Sequence, residues 1–324
     1  MRDLEFFRNA FNDYLRTKLR DKEPASLYEP IKYIMELGGK RLRPVLTLMS
    51  TKAFGGNYKE SLDAALAIEI FHNFSLVHDD IMDDAPLRRG ALTVHEKWNT
   101  NTGILSGDVM LINSYQYLEE YNNIIFKSLT SIFSKTAIEV CEGQQYDMDF
   151  EERDDVTESE YIKMITYKTA VLVAAAMEMG AIIAGASKKS QNLIYDFGLN
   201  LGIAFQLQDD YLDAFGDPKN FGKQMGGDII ENKKTFLYLQ SNKMGSSEQR
   251  AELKDLFSIK PSCPEEKIKT IKEIYKESGA AMATKKEIEK YTYLAFESLD
   301  LLEVSKEKMA SLREFGYKLM KREV

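Results

Sequence analysis

Cysteine is scarce in this chain of 324 residues, which holds only Cys141 and Cys263. The two lack zinc-ligand spacing and cannot form a disulfide framework, so a reducing cytoplasm is the expected compartment. Proline is missing between Pro86 and Pro218. A stretch that long without proline, rich in Leu, Ile, Ala, Glu and Lys, predicts successive long helices. Positive charge is in deficit, with a net charge of −8. That balance argues against nucleic acid, whose phosphates select basic faces. It leaves room for small phosphate ligands, which a local basic cluster or a carboxylate-held metal can bind. Long apolar runs are also absent. The most apolar segment, 174–186, is interrupted by Glu178 and reads as a buried core helix. The N-terminus carries early acids and no apolar core, so no signal peptide or membrane span is expected.

What is present is helical periodicity. Leu62, Leu66, Ile70 and Leu76 recur at helical spacing, as do Leu193, Phe197, Leu201, Ala204, Phe205 and Tyr211. Strand-like alternation is scarce and no low-complexity linker divides the chain. The reading is an all-α protein, with residues 1–324 forming a single domain.

Two acidic motifs stand out. The first is Asp79-Asp80-Ile-Met-Asp83-Asp84, and the second is Asp209-Asp210-Tyr-Leu-Asp213. Both follow an apolar helical run. On a helix, Asp79 and Asp83 share a face, where their charges repel. The helix dipole also disfavours acids at a C-terminal end. A bound cation removes both penalties, and oxygen-only ligands suit magnesium. A solvated acidic helix end would explain either motif alone; the repeat favours metal. A calcium loop would need a central Gly and a twelfth-position Glu, which neither has.

Cations alternate with these acids along the chain. Lys40, Arg41 and Arg43 follow a Gly pair, Arg88 and Arg89 follow the first motif, and Lys168-Thr169 lies mid-chain. Lys223 and Lys233 follow the second motif. Each alone would be a surface charge; together they fit phosphate contacts. His72 sits two turns before Asp79 on nearly the same face and points toward that site. His78 and His95 receive no role, and Trp98 is read as packing. Walker, Rossmann, H-E-x-x-H and G-x-S-x-G patterns are absent.

These residues resemble the trans-isoprenyl diphosphate synthase family, of the short-chain type. The resemblance rests on Gly38 to Pro44, His72 ahead of Leu76 to Asp83, Arg88-Arg89-Gly90, Gly143-Gln144 with Asp147, Lys168-Thr169, Phe205 to Asp213, Gly222-Lys223, Gly227-Asp228 and Glu231 to Lys233. It runs from about residue 25 to 300. It implies a bundle of long antiparallel helices around a central cavity, working as a homodimer. It also implies magnesium, three ions per active site, held by Asp79, Asp83 and Asp209 with Asp80 and Asp213 assisting. Arg88, Lys168, Thr169, Gln206, Lys223 and Lys233 would contact an allylic diphosphate. Lys40, Arg43, His72 and Arg89 would bind isopentenyl diphosphate. The implied catalytic set is Asp79, Asp83, Asp209, Arg88 and Lys168.

Product length would be set on the first acidic helix. Phe74 lies five residues before Asp79, Ser75 four before and Phe71 eight before. Phe74 with a small Ser75 points to a twenty-carbon product, with fifteen carbons as the alternative; both phenylalanines would equally serve as core. A terpene cyclase would carry a mixed Asn/Ser/Glu triad in place of the second acidic motif. A non-catalytic subunit of a heteromeric synthase would be expected to lose acids from one motif.

Overall fold

The computed structural model describes residues 2–216 and 225–321. Its helices are α1 (Arg2–Lys18), α2 (Ala25–Glu36), α3 (Leu42–Ala53), α4 (Leu62–Met82), α5 (Val94–Lys97), α6 (Thr100–Leu118), α7 (Asn123–Glu152), α8 (Glu158–Ile165) and α9 (Val171–Ile183). There follow α10 (Lys188–Phe215), α11 (Gly227–Ile230), α12 (Phe236–Met244), α13 (Ser247–Leu256), α14 (Glu265–Glu277), α15 (Ala280–Asp300) and α16 (Lys306–Met320). The only strands among the described residues are β1 (Leu87–Arg88) and β2 (Ala91–Leu92), which pair antiparallel as one hairpin. The all-α class is therefore observed.

The chain divides into two compact units. One comprises residues 1–135, 175–195 and 302–312; the other comprises 136–174, 196–301 and 313–324.

In the first unit α4 is the central post. It contains no Gly or Pro, and every residue from Ala64 to Phe71 is buried, including Glu69. The periodicity predicts one apolar stripe; the helix is instead enclosed on all sides, as all-round apolar helices are. Leu62 and Leu76 are only half-buried. Helices α3 and α6 pack along it. The buried Glu69 is matched by Arg41, which also donates to the Met35 carbonyl. Burying a charge is costly unless it is paired and hydrogen-bonded, and this one is both.

In the second unit the core gathers α8, α10 and α12–α14, with Leu207, Phe236, Leu253, Ile271 and Tyr275 among its most buried members. Helix α8 begins with a capping box, in which Thr157 and Glu160 satisfy each other's backbone amides. Between α8 and α9 the backbone makes one π-helical turn, Thr166–Ala170. Two glycines make that turn packable. A Cβ on Gly143 of α7 would lie 2.2 Å from the Lys168 nitrogen, and one on Gly202 of α10 would lie 2.8 Å from the Ala170 Cα.

By length and composition the stretch Glu158–Ile183 could cross a membrane, but 72% of its most apolar window is buried inside the protein. Glu178 within it is paired to Lys188 at 2.9 Å. A core helix accounts for it, as the sequence suggests.

Candidate active site

The second unit holds a cavity of about 300 Å³. Its lining includes Asp209, Asp210 and Asp213 from the last turns of α10, Asp147 from α7, and Asp228 from α11. Lys168, Thr169, Gln206 and Lys233 line it as well. Of the residues singled out in the sequence, Asp209, Asp213, Lys168, Thr169, Gln206 and Lys233 are brought to this one cavity.

A chain of hydrogen bonds organises that lining. The Thr169 hydroxyl donates to Gln206 Oε1 at 3.2 Å, and Gln206 Nε2 donates to Asp210 Oδ1 at 3.0 Å. The Tyr161 phenol donates to the other Asp210 oxygen. Burial and the nearby Asp228 charge push the Asp210 carboxyl up to about 8, against the pull of those two donors. Burial likewise raises the Tyr161 phenol well above its ordinary value, with Asp210 adding to the effect. Lys168 is ion-paired with Asp147. Burial opposes the charge on Lys233, yet Glu231 at 3.1 Å, with Asp228 and Asp147, holds its ammonium above the usual range. Asp213 accepts the Gly227 and Asp228 amides at 3.2 and 3.1 Å, so both its oxygens already serve the start of α11. Lys223 lies outside the described residues.

The first unit holds a cationic cluster. Gly38 and Gly39 have φ of +79° and +127°, conformations open to glycine. A Cβ on Gly39 would meet the Arg89 guanidinium at 2.9 Å, so the Gly pair lets the backbone lie against that cation. Arg89 donates to the Gly38 carbonyl. Arg43 Nη1 lies 3.2 Å from His72 Nε2. Arginine can only donate, so Nε2 carries the lone pair and Nδ1 the proton. Burial, then Arg43, Arg89, Arg88 and Arg41, hold the His72 imidazole well below its ordinary value, so it is neutral. Arg41 is balanced by Glu69, and Arg88 grips Asp80 through contacts of 2.6–2.8 Å. Among the described residues, Arg43 and Arg89 have no carboxylate partner. That surplus charge fits an anion. Lys40 is exposed on the same segment.

Asp79 sits in the last turn of α4, and the Asp83 amide donates to its carbonyl at 2.9 Å. The two therefore keep the one-turn spacing expected of them. Asp80 turns away, buried against Arg88. Among the described residues, neither acidic motif presents three carboxylates within a common 4.8 Å. The donor set still fits magnesium: all ligands are oxygen, and burial, with the Asp228 charge beside it, raises the Asp210 carboxyl. Asp228 and Tyr161 are missed as site residues by sequence reasoning. Asp228 carries a signal in its Gly227-Asp228 context; Tyr161 carries none, since its partner lies 49 residues away.

Phe74 is buried, its ring 5.5 Å from Phe71 and 4.8 Å from His78. Phe71 is deeper and stacks edge-on with Phe133 at 5.3 Å. The Ser75 hydroxyl donates back to the His72 carbonyl at 3.0 Å.

The second unit groups carboxylates around a cavity, and the first groups arginines that lack a carboxylate partner; each cluster suits diphosphate chemistry. Residues 24–276 match the sequence profile of the family described as polyprenyl synthetase. The chain belongs to that family and is a prenyltransferase. It is similar to a geranylgeranyl pyrophosphate synthase of Geoglobus acetivorans, 37% identical over 91% of this chain and 90% of the relative. It is also similar to a geranylfarnesyl diphosphate synthase of Natronomonas pharaonis, 36% identical over 74% of this chain and 75% of the relative. A crystal structure of a geranylgeranyl pyrophosphate synthase superposes with a TM-score of 0.95 at 52% identity, covering 99% of both chains.

Proposed function

We propose that this chain condenses isopentenyl diphosphate head to tail with an allylic diphosphate and releases geranylgeranyl diphosphate. The observation that carries the reading is the pair of chemically distinct clusters, one in each compact unit. The Arg43–His72–Arg89 cluster suits a diphosphate bound without metal. The cavity of Asp209, Asp210 and Asp228 with Lys168 and Lys233 suits a diphosphate bound through one.

Magnesium bound at Asp79, Asp83 and Asp209, three ions per site in this reading, would neutralise charge building on a departing diphosphate. Lys168, Thr169, Gln206 and Lys233 orient the allylic diphosphate. Its carbon–oxygen bond breaks with the electron pair leaving on oxygen. Arg43, Arg89 and Lys40 hold isopentenyl diphosphate so that its double bond attacks the allylic cation. A carbon–carbon bond forms, and the proton lost from carbon passes to the released diphosphate. Fixing both partners accounts for much of the acceleration. Arg88 acts from its place on Asp80.

Neither compact unit is a continuous segment, which supports reading 1–324 as one domain. Exposed Ile104, Leu105 and Ile112 on α6 support a homodimer. A content of only two cysteines, both exposed, supports the cytoplasm as the compartment.

Chromatography of dephosphorylated products from isopentenyl diphosphate and each allylic starter tests the reading. The expected main product has twenty carbons. A fifteen- or twenty-five-carbon product would move the ceiling away from Phe74. Phe74→Ala should lengthen the product and Ser75→Phe should shorten it. Phe74 is buried, so its truncation also costs about 3–5 kcal/mol of stability, and the assay belongs at low temperature.

A further inference from the structure

Three side chains outside the roles assigned above converge at the base of the β1–β2 hairpin. One oxygen of Asp84, one oxygen of Glu96 and one ring nitrogen of His95 all lie within 4.8 Å of one another. Asp84 follows the end of α4, and His95 and Glu96 lie on α5. The His95 side chain is 6% exposed, and neither of its nitrogens has a hydrogen-bond partner. Glu96 Oε1 lies 3.8 Å from Nε2, beyond hydrogen-bond reach. A neutral imidazole always presents one lone pair. Here both ring nitrogens are buried beside two carboxylates with no hydrogen-bond partner.

An ion bonded at about 2.0–2.2 Å spans ligand atoms up to roughly 4.4 Å apart, so small side-chain rotations would close the three around one. Imidazole with two carboxylates suits Mn²⁺, Fe²⁺, Co²⁺ or Zn²⁺, while magnesium prefers oxygen alone. We propose that Asp84, His95 and Glu96 form a second metal site, for a divalent ion of the manganese-to-zinc series, separate from the magnesium acids. The site joins the residue entering the hairpin to the residues leaving it. Arg88 and Arg89 sit between those feet. The bound ion is a clamp that fixes the arginine hairpin on the end of α4.

The test uses the full-length protein and Co²⁺ as the probe, with magnesium in large excess to fill the catalytic acids. Visible absorption and equilibrium dialysis read the binding. The expected result is one Co²⁺ per chain that magnesium does not displace. Glu96→Gln should weaken it at least tenfold, His95→Gln should remove nitrogen from its coordination shell by X-ray absorption, and Asp79→Ala should leave it intact. Amide hydrogen exchange over residues 85–93 should slow when Co²⁺ is added to the wild type. Glu96 is a surface residue, so Glu96→Gln carries the test if His95→Gln fails to fold. Complete displacement by magnesium, or equal cobalt uptake in both variants, overturns the site. Unchanged exchange over 85–93 overturns the clamp.

Discussion

Gly143→Ala isolates how the site is positioned. The added Cβ would stand 2.2 Å from the Lys168 nitrogen and 2.7 Å from the Lys168 Cα and the Tyr167 carbonyl carbon. These are backbone atoms, so no rotamer change relieves the contact. Ordinary contact requires about 3.5 Å, so the π turn must retreat by about 1 Å. Overpacking of this kind costs about 1–3 kcal/mol, while Ala in a helix gains about 1 kcal/mol over Gly. The net loss of stability is therefore small. Activity should suffer more. Lys168 and Thr169 ride on that turn, and a misplacement of about 1 Å can cost about a hundredfold in rate. The expected result is a melting temperature lower by a few degrees and a kcat/KM for the allylic diphosphate lower by about a hundredfold. Gly202→Ala, with its nearest contact at 2.8 Å, should show the same pattern more weakly. Thermal unfolding and initial-rate kinetics on both variants decide. Wild-type kinetics in Gly143→Ala would refute the idea that this packing sets the position of Lys168.

Asp79→Ala, Asp83→Ala and Asp209→Ala should each lower kcat by about a hundredfold or more at saturating magnesium, with helical circular dichroism unchanged. Near-normal turnover in all three would remove the metal assignment. Arg43→Ala should raise the KM for isopentenyl diphosphate, and Lys233→Ala should raise the KM for the allylic substrate; equal effects on both substrates would undo the two-site reading. His72 gives a pH prediction. Its folded-state pKa is depressed, so below the unfolded value of about 6.5 the unfolded chain takes up a proton that the folded chain refuses. Stability should fall as pH drops through that value, and His72→Gln should flatten this part of the profile in denaturant titrations at several pH values.

Much of this molecule is legible in its sequence because helices repeat locally. The span of α4, the one-turn spacing of Asp79 and Asp83, and the acidic end of α10 follow from patterns within a few turns. The Gly38–Arg43 segment reads as a candidate anion site because glycine and arginine are each suited to one. What stays hidden depends on contacts between distant segments. Asp80 reads as a metal ligand like its neighbours, yet Arg88 returns on the hairpin and takes it. Asp213 reads as the third acid of its motif, yet the α11 amides fold back onto it. Tyr161 looks like an ordinary apolar-face residue until Asp210 is placed beside it. His95 looks unremarkable in sequence because burial without a partner has no sequence signature.

The π turn at Thr166–Ala170 constrains the length of its segment as well as its composition. A π turn arises when a helix accommodates one residue more than α-helical winding needs. Each α-helical residue advances the chain by about 100° around the axis. Deleting a single residue between 166 and 170 would let the helix close into regular winding. The flanking helices would keep their facing, because the π turn is what takes up the extra residue, while residues inside the turn would be re-aimed by up to about 100°. The apolar face of α9 would stay in its packing, but Lys168 and Thr169 would swing off the cavity. A one-residue insertion or deletion, harmless in a surface loop, would here act as a rotation of the active site. Homologous segments that keep the site should therefore keep this length even where their side chains differ.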